Sequence, residues 1–455
     1  MYIAILGRLT NLSIAELERL YGSRAVTWHS AETALIDSTS LDFNRLGGSR
    51  KAGRVIADIP RGDWRTASER IIHHYVEAFS SVDHKITLGI SAYGFDSART
   101  NARDIQKTGI VLKQRLRKHD VGLRLVPNAD LALNTATSHH NKLGLSPNKI
   151  ELLVVRGKAN RIIIAESIGA QNITAIAARD QARPHTDAFV GMLPPKLAQI
   201  MINLAVGNKY DELPVDRGSL TGSREVPLAL EETSAARASA AADATEARRE
   251  AVFEGAKETS PLPIAHMTKA LGEAKTILDP FCGTGVVLQE ALLMGYSAYG
   301  SDLSEKMVDY STKNLAWLDQ KYHTGHPTIE LADATDHKWH QPIDAVVAET
   351  YLGQPFSAPP SPAKLTEVRN NCNHIVGKFL NNLSSQLAAG TPLCIAVPAW
   401  RDKLGDLTHL PLTADSELRK LGYTRVMLET TPSNNLIYSR ENQVVTREIL
   451  ILTKN

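Results

Sequence analysis

Short apolar runs alternate with amphipathic stretches along most of this chain, and the two spacings predict an α/β protein built in units. Near the N-terminus the apolar run Tyr2–Leu6 predicts a strand. A helix is expected over residues 13–21, with Ser13 as its cap and Glu16 three positions on in the pattern of a capping box. A strand over 54–59 and a helix over 64–79 complete a first small α/β unit. The style repeats afterwards, with a strand over 85–90, a basic helical segment and a strand over 123–126. Residues 149–156 and 161–168 then read as a hairpin around Gly157-Lys158-Ala159-Asn160.

Residues 183–206 open on Arg183-Pro184 and pass through Gly191-Met192-Leu193-Pro194-Pro195 into an apolar-periodic helix, with proline at the entry, where its missing N–H costs nothing. The composition then changes sharply. From Glu231 to Ala251 every hydrophobic residue is alanine, so no face can bury enough apolar area to offset the entropy of ordering, and 208–270 is expected to be a flexible insert. A new alternation follows: strand 276–278, a glycine loop, helix 286–294, strand 297–300, helix 305–318, strand 328–331 and strand 345–348. Strands alternating with helices imply a parallel sheet covered on both faces.

The length of 455 residues implies several domains at roughly 100–200 residues each. The divisions expected are 1–80, 81–180, a linker helix at 181–207, the insert at 208–270 and a final domain at 271–455. No apolar run approaches the ~18 residues of a membrane span. The first residues read as a strand and not a secretion signal, which points to the cytoplasm. Three widely spaced cysteines, Cys282, Cys372 and Cys394, argue against disulfides or a zinc ribbon, and the histidine pairs lack ligand companions, so no metal is expected.

A net charge of +2 does not by itself suggest a nucleic-acid partner. Its distribution does more. Arg99, Arg103, Lys107, Lys113, Arg115, Arg117, Lys118 and Arg124 face only Asp104 and Asp120 within one segment, too few acids to pair them along a helix.

The loop Asp279-Pro280-Phe281-Cys282-Gly283-Thr284-Gly285 follows a strand and opens a helix, the context in which glycines let a backbone approach a nucleotide-like ligand. Asp302 ends the next strand, where a carboxylate can accept both hydroxyls of a ribose. Asp333, after the third strand, is placed to meet an adenine amine. A dinucleotide-binding dehydrogenase would need a third glycine at position 288, which is leucine.

Asp-Pro-Phe-Cys-Gly-Thr-Gly resembles motif I of the class I methyltransferases that act on exocyclic amines. That resemblance implies S-adenosylmethionine as cofactor, held by Asp279, Phe281, Gly283, Gly285, Asp302 and Asp333. The strand Asp344-Ala345-Val346-Val347-Ala348 then runs into Glu349-Thr350-Tyr351-Leu352-Gly353. Relatives carry Asp/Asn-Pro-Pro-Tyr/Phe at this place. Aligning the glycine puts Glu349 at the position of the acid and Tyr351 at hand to stack on the target base. Replacing both prolines is expected to loosen the turn.

The opening Ile5-Leu6-Gly7 through Glu16-Leu17, the segment from Arg183-Pro184 to Asn203-Leu204-Ala205, and the closing Tyr438-Ser439-Arg440 with Val444 through Leu450 are similar to the THUMP-containing tRNA guanine-10 N2-methyltransferases. The resemblance implies a ferredoxin-like N-terminal unit, a THUMP module at 81–180 and a class I doubly wound sheet at the C-terminus. It also implies a tRNA partner, with Arg99, Arg103, Lys107, Lys113, Arg117 and Lys118 on its phosphates, and in some relatives a small activating protein. Methylation of another nucleic acid, ribosomal RNA or adenine in DNA, and a catalytically silent tRNA-binding protein are the alternatives.

Overall fold

The computed structural model describes residues 1–95, 100–187, 192–207, 275–432, 436–440 and 443–455. The expected insert at 208–270 and the basic residue Arg99 lie outside the described residues.

The first half builds one eight-stranded sheet. Strands β1 (Tyr2–Leu6), β2 (Val26–Ser30), β3 (Thr33–Ile36), β4 (Ser49–Ile59), β5 (Ile86–Tyr93), β6 (Leu123–Leu125), β7 (Lys149–Arg156) and β8 (Ile162–Ala170) lie in the order β2-β3-β1-β4-β8-β7-β5-β6. β4 is longer than its apolar pattern suggested. It pairs antiparallel with β1 on one edge and with β8 on the other, so the two small α/β units share a single sheet. β7 and β8 form the expected hairpin.

Helix α1 (Thr10–Tyr21) starts earlier than the capping pattern indicated, because Ser13 and Glu16 have tertiary partners in place of the helix end. Ser13 Oγ donates to the Gly48 carbonyl at 2.7 Å, and the Glu16 carboxylate accepts the Gly47 and Gly48 amides at 2.9 and 2.8 Å. A serine and a glutamate three apart make a capping box at a helix start and a single polar stripe within a helix; the turn at 47–48 selects the second. Helix α2 (Trp64–Phe79), read from sequence with the first unit, buries Trp64, Ile71, Tyr75 and Phe79 against β5, β7, β8 and helix α3 (Ala102–Arg117). Helices α4 (Thr135–His140) and α5 (Ile173–Gln181) complete this half.

Helix α6 (Pro195–Val206) is more than a linker. It is buried along almost its whole length, in one core with Leu12 and Ala15 of α1 and with residues of the C-terminal sheet. Its Asn203 donates to Glu16 at 2.7 Å and accepts from Arg45 Nε at 2.7 Å, and Arg45 in turn reaches the Tyr296 hydroxyl at 2.7 Å. Burial pushes the Glu16 carboxyl up to about 7, against these hydrogen bonds and the Arg45 charge. The first two segments quoted above therefore meet in space, and Glu16 and Asn203 with Arg45 and Tyr296 fasten the two halves together.

The C-terminal sheet is formed by β9 (Thr276–Asp279), β10 (Ser297–Asp302), β11 (Thr328–Leu331), β12 (Ala345–Glu349), β13 (Pro392–Arg401), β14 (Leu407–Thr408), β15 (Tyr423–Arg425), β16 (Ile437–Tyr438) and β17 (Val445–Lys454). Its main order is β11-β10-β9-β12-β13-β17-β15. The first five run parallel, as the alternation implied, and β17 enters antiparallel between β13 and β15. Successive residues of β12 supply both faces: Val347 packs with α6 and helix α7 (Val286–Leu293), whereas Val346 and Ala348 pack with helix α9 (Pro362–Ser384). Helices α8 (Glu305–Tyr322) and α10 (Asp415–Lys420) complete the covering layers. The order reverses between β9 and β12, which leaves a crevice beyond their carboxyl ends.

Candidate functional site

Everything predicted to hold a cofactor gathers at that crevice. The Asp279-to-Gly285 loop turns tightly: Gly285 N donates to the Cys282 carbonyl at 2.7 Å, and Gly283 and Gly285 sit at φ 51° and 85°, where a side chain would be strained. A Cβ built on Gly283 would meet nothing nearer than 3.9 Å, so its backbone faces open space, the cradle a close-approaching ligand needs. Asp302 supports the loop from the neighbouring strand. Its two oxygens accept Gly283 N and Ser304 N, each at 2.9 Å, and each keeps a lone pair for a ligand hydroxyl. Asp333 follows β11 and caps its own turn through Thr335 N at 2.9 Å. Ala332 N donates to the Asp302 carbonyl at 3.0 Å, which draws the two acidic strand ends together.

Asp279 is buried and accepts Phe281 N at 3.1 Å. Burial drives its carboxyl well above the usual range, and the nearby Asp302 and Glu349 add to the effect. Burial also raises Asp302, against its two amide bonds. The acids at the ends of β10 and β12 thus both act on Asp279 at the end of β9. The Phe281 ring lies edge-on to Phe379 of α9 at 5.0 Å and serves packing as well as the loop.

At the end of β12, Glu349 is paired with Arg447 of β17, and the side chains are 17% and 6% exposed. Among the described residues its Oε1 takes the arginine and Oε2 has no protein partner. The turn that follows is pinned, not loosened. Thr350, in place of the first proline, donates through both N and Oγ1 to the Ala396 carbonyl at 3.0 Å, so two hydrogen bonds do the work of the missing ring. Tyr351 is 42% exposed beside it, and Gly353 takes φ 78° against Val368 and Cys372.

Sequence reasoning missed several supporting groups. Ser311 of α8 donates to the Gly283 carbonyl at 2.8 Å, and Asn314 one turn on holds the Thr284 and His185 carbonyls at 2.9 Å. Both are polar residues on the buried face of an amphipathic helix, which was the available signal. Leu303, directly after Asp302, is 71% exposed at the crevice edge, an apolar side chain facing solvent without a packing reason. Arg447 entered the sequence reading only as part of the closing segment's resemblance, with no role given to it.

The basic residues lie elsewhere, on α3. Arg103, Lys107, Lys113 and Arg117 are exposed, and Lys118 caps the helix end. None of the five forms an ion pair with a described acid, and Asp104 is occupied in a capping box with Asn101. Among the described residues no three His, Cys, Asp or Glu side chains converge on a metal position, and no helix is long and apolar enough to cross a membrane.

A glycine loop after the first strand of a reversing parallel sheet, acids on the next two strand ends and an antiparallel penultimate strand are the arrangement of the class I methyltransferase fold. The particular resemblance, to the tRNA guanine-10 N2-methyltransferases, is borne out by sequence similarity. Over 126 residues the chain is 32% identical to the tRNA (guanine(10)-N2)-dimethyltransferase of Methanothermobacter thermautotrophicus, a stretch covering 28% of this chain and 34% of that protein. Over 95 residues it is 40% identical to the protein of the same name from Pyrococcus abyssi, covering 21% of this chain and 24% of the relative. The similarity thus spans about a third or less of these relatives. No family model matches the chain. Among solved structures, TrmN from Thermus thermophilus overlaps 100% of this chain and 99% of its own at 15% identity and a TM-score of 0.45. Magnesium protoporphyrin IX methyltransferase from Synechocystis with bound SAM overlaps 42% of this chain and 74% of its own at 17% identity and a TM-score of 0.28.

Proposed function

We propose that this chain transfers a methyl group from S-adenosylmethionine to the exocyclic N2 of a guanine in tRNA, at position 10. The observation that carries the reading is the meeting of Glu349 and Tyr351 with the glycine loop and Asp302 at one crevice. The relatives named for that activity support the choice of acceptor.

When bound, the cofactor supplies a methyl carbon on a cationic sulfur. In this reading the Gly283 backbone takes the methionine end, Asp302 accepts the ribose hydroxyls, and Asp333 accepts the adenine amine with Leu303 against the ring. The carboxylates of Asp302 and Glu349 favour the sulfonium over its neutral product. A guanine amine is a poor nucleophile because its lone pair is spread into the ring. Glu349 Oε2, accepting one N2–H, draws charge back onto nitrogen as the N–C bond forms and the S–C bond breaks, and it receives the proton that nitrogen then loses. Tyr351, exposed at the rim, stacks on a base that has left its helix.

Incubating the purified chain alone with tRNA and methyl-labelled cofactor, then digesting to nucleosides, tests the reading. Label in N2-methylguanosine or its dimethyl form is expected, and this format also decides whether an activating subunit is needed. No label with retained tRNA affinity would favour a silent binding protein.

Asp302→Ala is expected to weaken cofactor binding by roughly 10–100-fold in calorimetry, since charge-assisted hydrogen bonds are worth about 1.5–3 kcal/mol each. The α3 face, together with Arg99, is proposed to contact RNA phosphates within a THUMP module. Replacing Lys107 and Arg117 together with glutamine should lower tRNA affinity and flatten the slope of log affinity against log salt by about one to two. A salt slope equal to that of the parent would remove this face from the interface. The cytoplasm is the compartment in which such a tRNA-modifying enzyme would act.

A further inference from the structure

We propose that Arg447 is the positioning residue of the methyl-transfer site: it selects which oxygen of Glu349 faces the acceptor amine and keeps that carboxylate ionised. The inference rests on the reading of Glu349 as the amine acceptor and goes beyond it, because it assigns the orientation of that group to a residue on another strand.

The register supplies the geometry. Glu349 of β12 stands opposite Ala396 of β13, Ala396 stands opposite Ile449 of β17, and Arg447 stands opposite Pro398. These positions share one face of the sheet, because paired residues and residues two apart point the same way. Glu349 and Arg447 therefore project from the same face with β13 between them. The small side chain of Ala396 leaves room for the guanidinium to cross. Tyr438 of β16 pairs with Arg447 from the other side, and the Arg447 Cζ lies 5.7 Å from its ring centroid. The guanidinium is thus flanked by a carboxylate and an aromatic ring, with one direction of approach to each.

Stability does not account for such a pair. Desolvating two charges cancels most of their attraction, so buried ion pairs add little net stability over apolar residues of the same shape. The contrast with Asp279 is informative. Asp279 is more deeply buried, has Asp302 and Glu349 as its charged neighbours, and is driven toward its neutral form. Burial raises the Glu349 carboxyl above the usual range as well, but here the Arg447 guanidinium, by charge and hydrogen bond, and the Arg440 charge oppose it. The charges that act on Glu349 are therefore Arg447 and Arg440, with the titratable carboxyl of Asp279 nearby. Of the two enclosed acids, the one at the transfer position has the counter-charge. An ionised carboxylate can accept an amine N–H and then its proton; a neutral carboxyl still accepts the N–H through its carbonyl oxygen but is too weak a base to take the proton. With Oε1 on Arg447, Oε2 is the oxygen left for the substrate.

The test compares Arg447→Met, which keeps length and removes charge, with Arg447→Lys, which keeps charge. The pH profile of turnover on tRNA is read beside a carbon NMR titration of glutamate-labelled protein, with Glu349→Gln assigning the resonance. In Arg447→Met the Glu349 titration and the acid limb of turnover should both rise by about one pH unit or more. Its turnover near neutrality should fall at least about tenfold, with the KM values for cofactor and tRNA within about threefold, the split expected of a residue that acts in the transfer step. Arg447→Lys should return both midpoints toward the parent value, and it serves as the charged comparison where the methionine variant does not fold. Unchanged midpoints in Arg447→Met, or in Arg447→Gln where the methionine variant does not fold, with turnover within about twofold, would overturn the proposal. If the parent chain transfers no methyl to tRNA, the guanine reading falls; the NMR titration still judges whether Arg447 sets the ionisation of Glu349.

Discussion

Glu349→Gln should leave a folded protein that binds S-adenosylmethionine within a few-fold of the parent but turns over about 10²–10³-fold more slowly, the scale of losing one charged acceptor at a reacting centre. Glutamine keeps an oxygen for Arg447, so the crossing over β13 can survive. The oxygen that faced the crevice becomes an N–H₂ group, a donor set against the donor amine of guanine. The loss should fall on kcat and not on the KM for tRNA, because the group acts when charge develops on nitrogen. Single-turnover transfer of labelled methyl measures it, and turnover equal to that of the parent would show that another group takes the proton.

A second large effect is expected on stability. Glu290 of α7 is fully enclosed and holds Arg179 of α5 through two bonds, Nε to Oε1 at 2.9 Å and Nη2 to Oε2 at 3.1 Å, with Gln289 donating to Oε1 at 3.0 Å. Glu290→Ala leaves the guanidinium buried without a partner, at a cost of about 3–5 kcal/mol. The double change Arg179→Met with Glu290→Leu should recover most of that loss, since neither charge is then stranded. Urea unfolding followed by tryptophan fluorescence separates the two variants. An alanine variant as stable as the parent would mean that water or a shifted neighbour reaches Arg179. Because Gly285 of the loop is the N-cap of α7, the same change should weaken cofactor binding as well.

Local periodicity made much of the fold legible. Strands Tyr2–Leu6 and Thr328–Leu331 and helix Trp64–Phe79 stand where apolar spacing placed them, and the loop at Asp279 turns as its glycines require. Where the reading failed, a tertiary partner had overridden a local signal. Ser13 and Glu16 carry the pattern of a helix start, but the amides of Gly47 and Gly48 offered buried partners that solvent at a helix end could not match. The turn after Glu349 was expected to loosen without its prolines. Thr350 holds it by bonding Ala396, a residue of the next strand whose position no local pattern reveals.

By itself the sequence determined the alternation of strands and helices, the glycine loop and the acids that follow two strand ends, since each depends on residues within a few positions of one another. Only the tertiary structure decided that α6 lies in the core between the two halves, and that Glu349, the acid proposed for the transfer position, has a counter-charge in Arg447. Glu349 and Arg447 are 98 residues apart in the chain. Their meeting depends on β17 entering the sheet antiparallel beside β13, a choice made by the packing of the whole layer and not by the spacing of any segment.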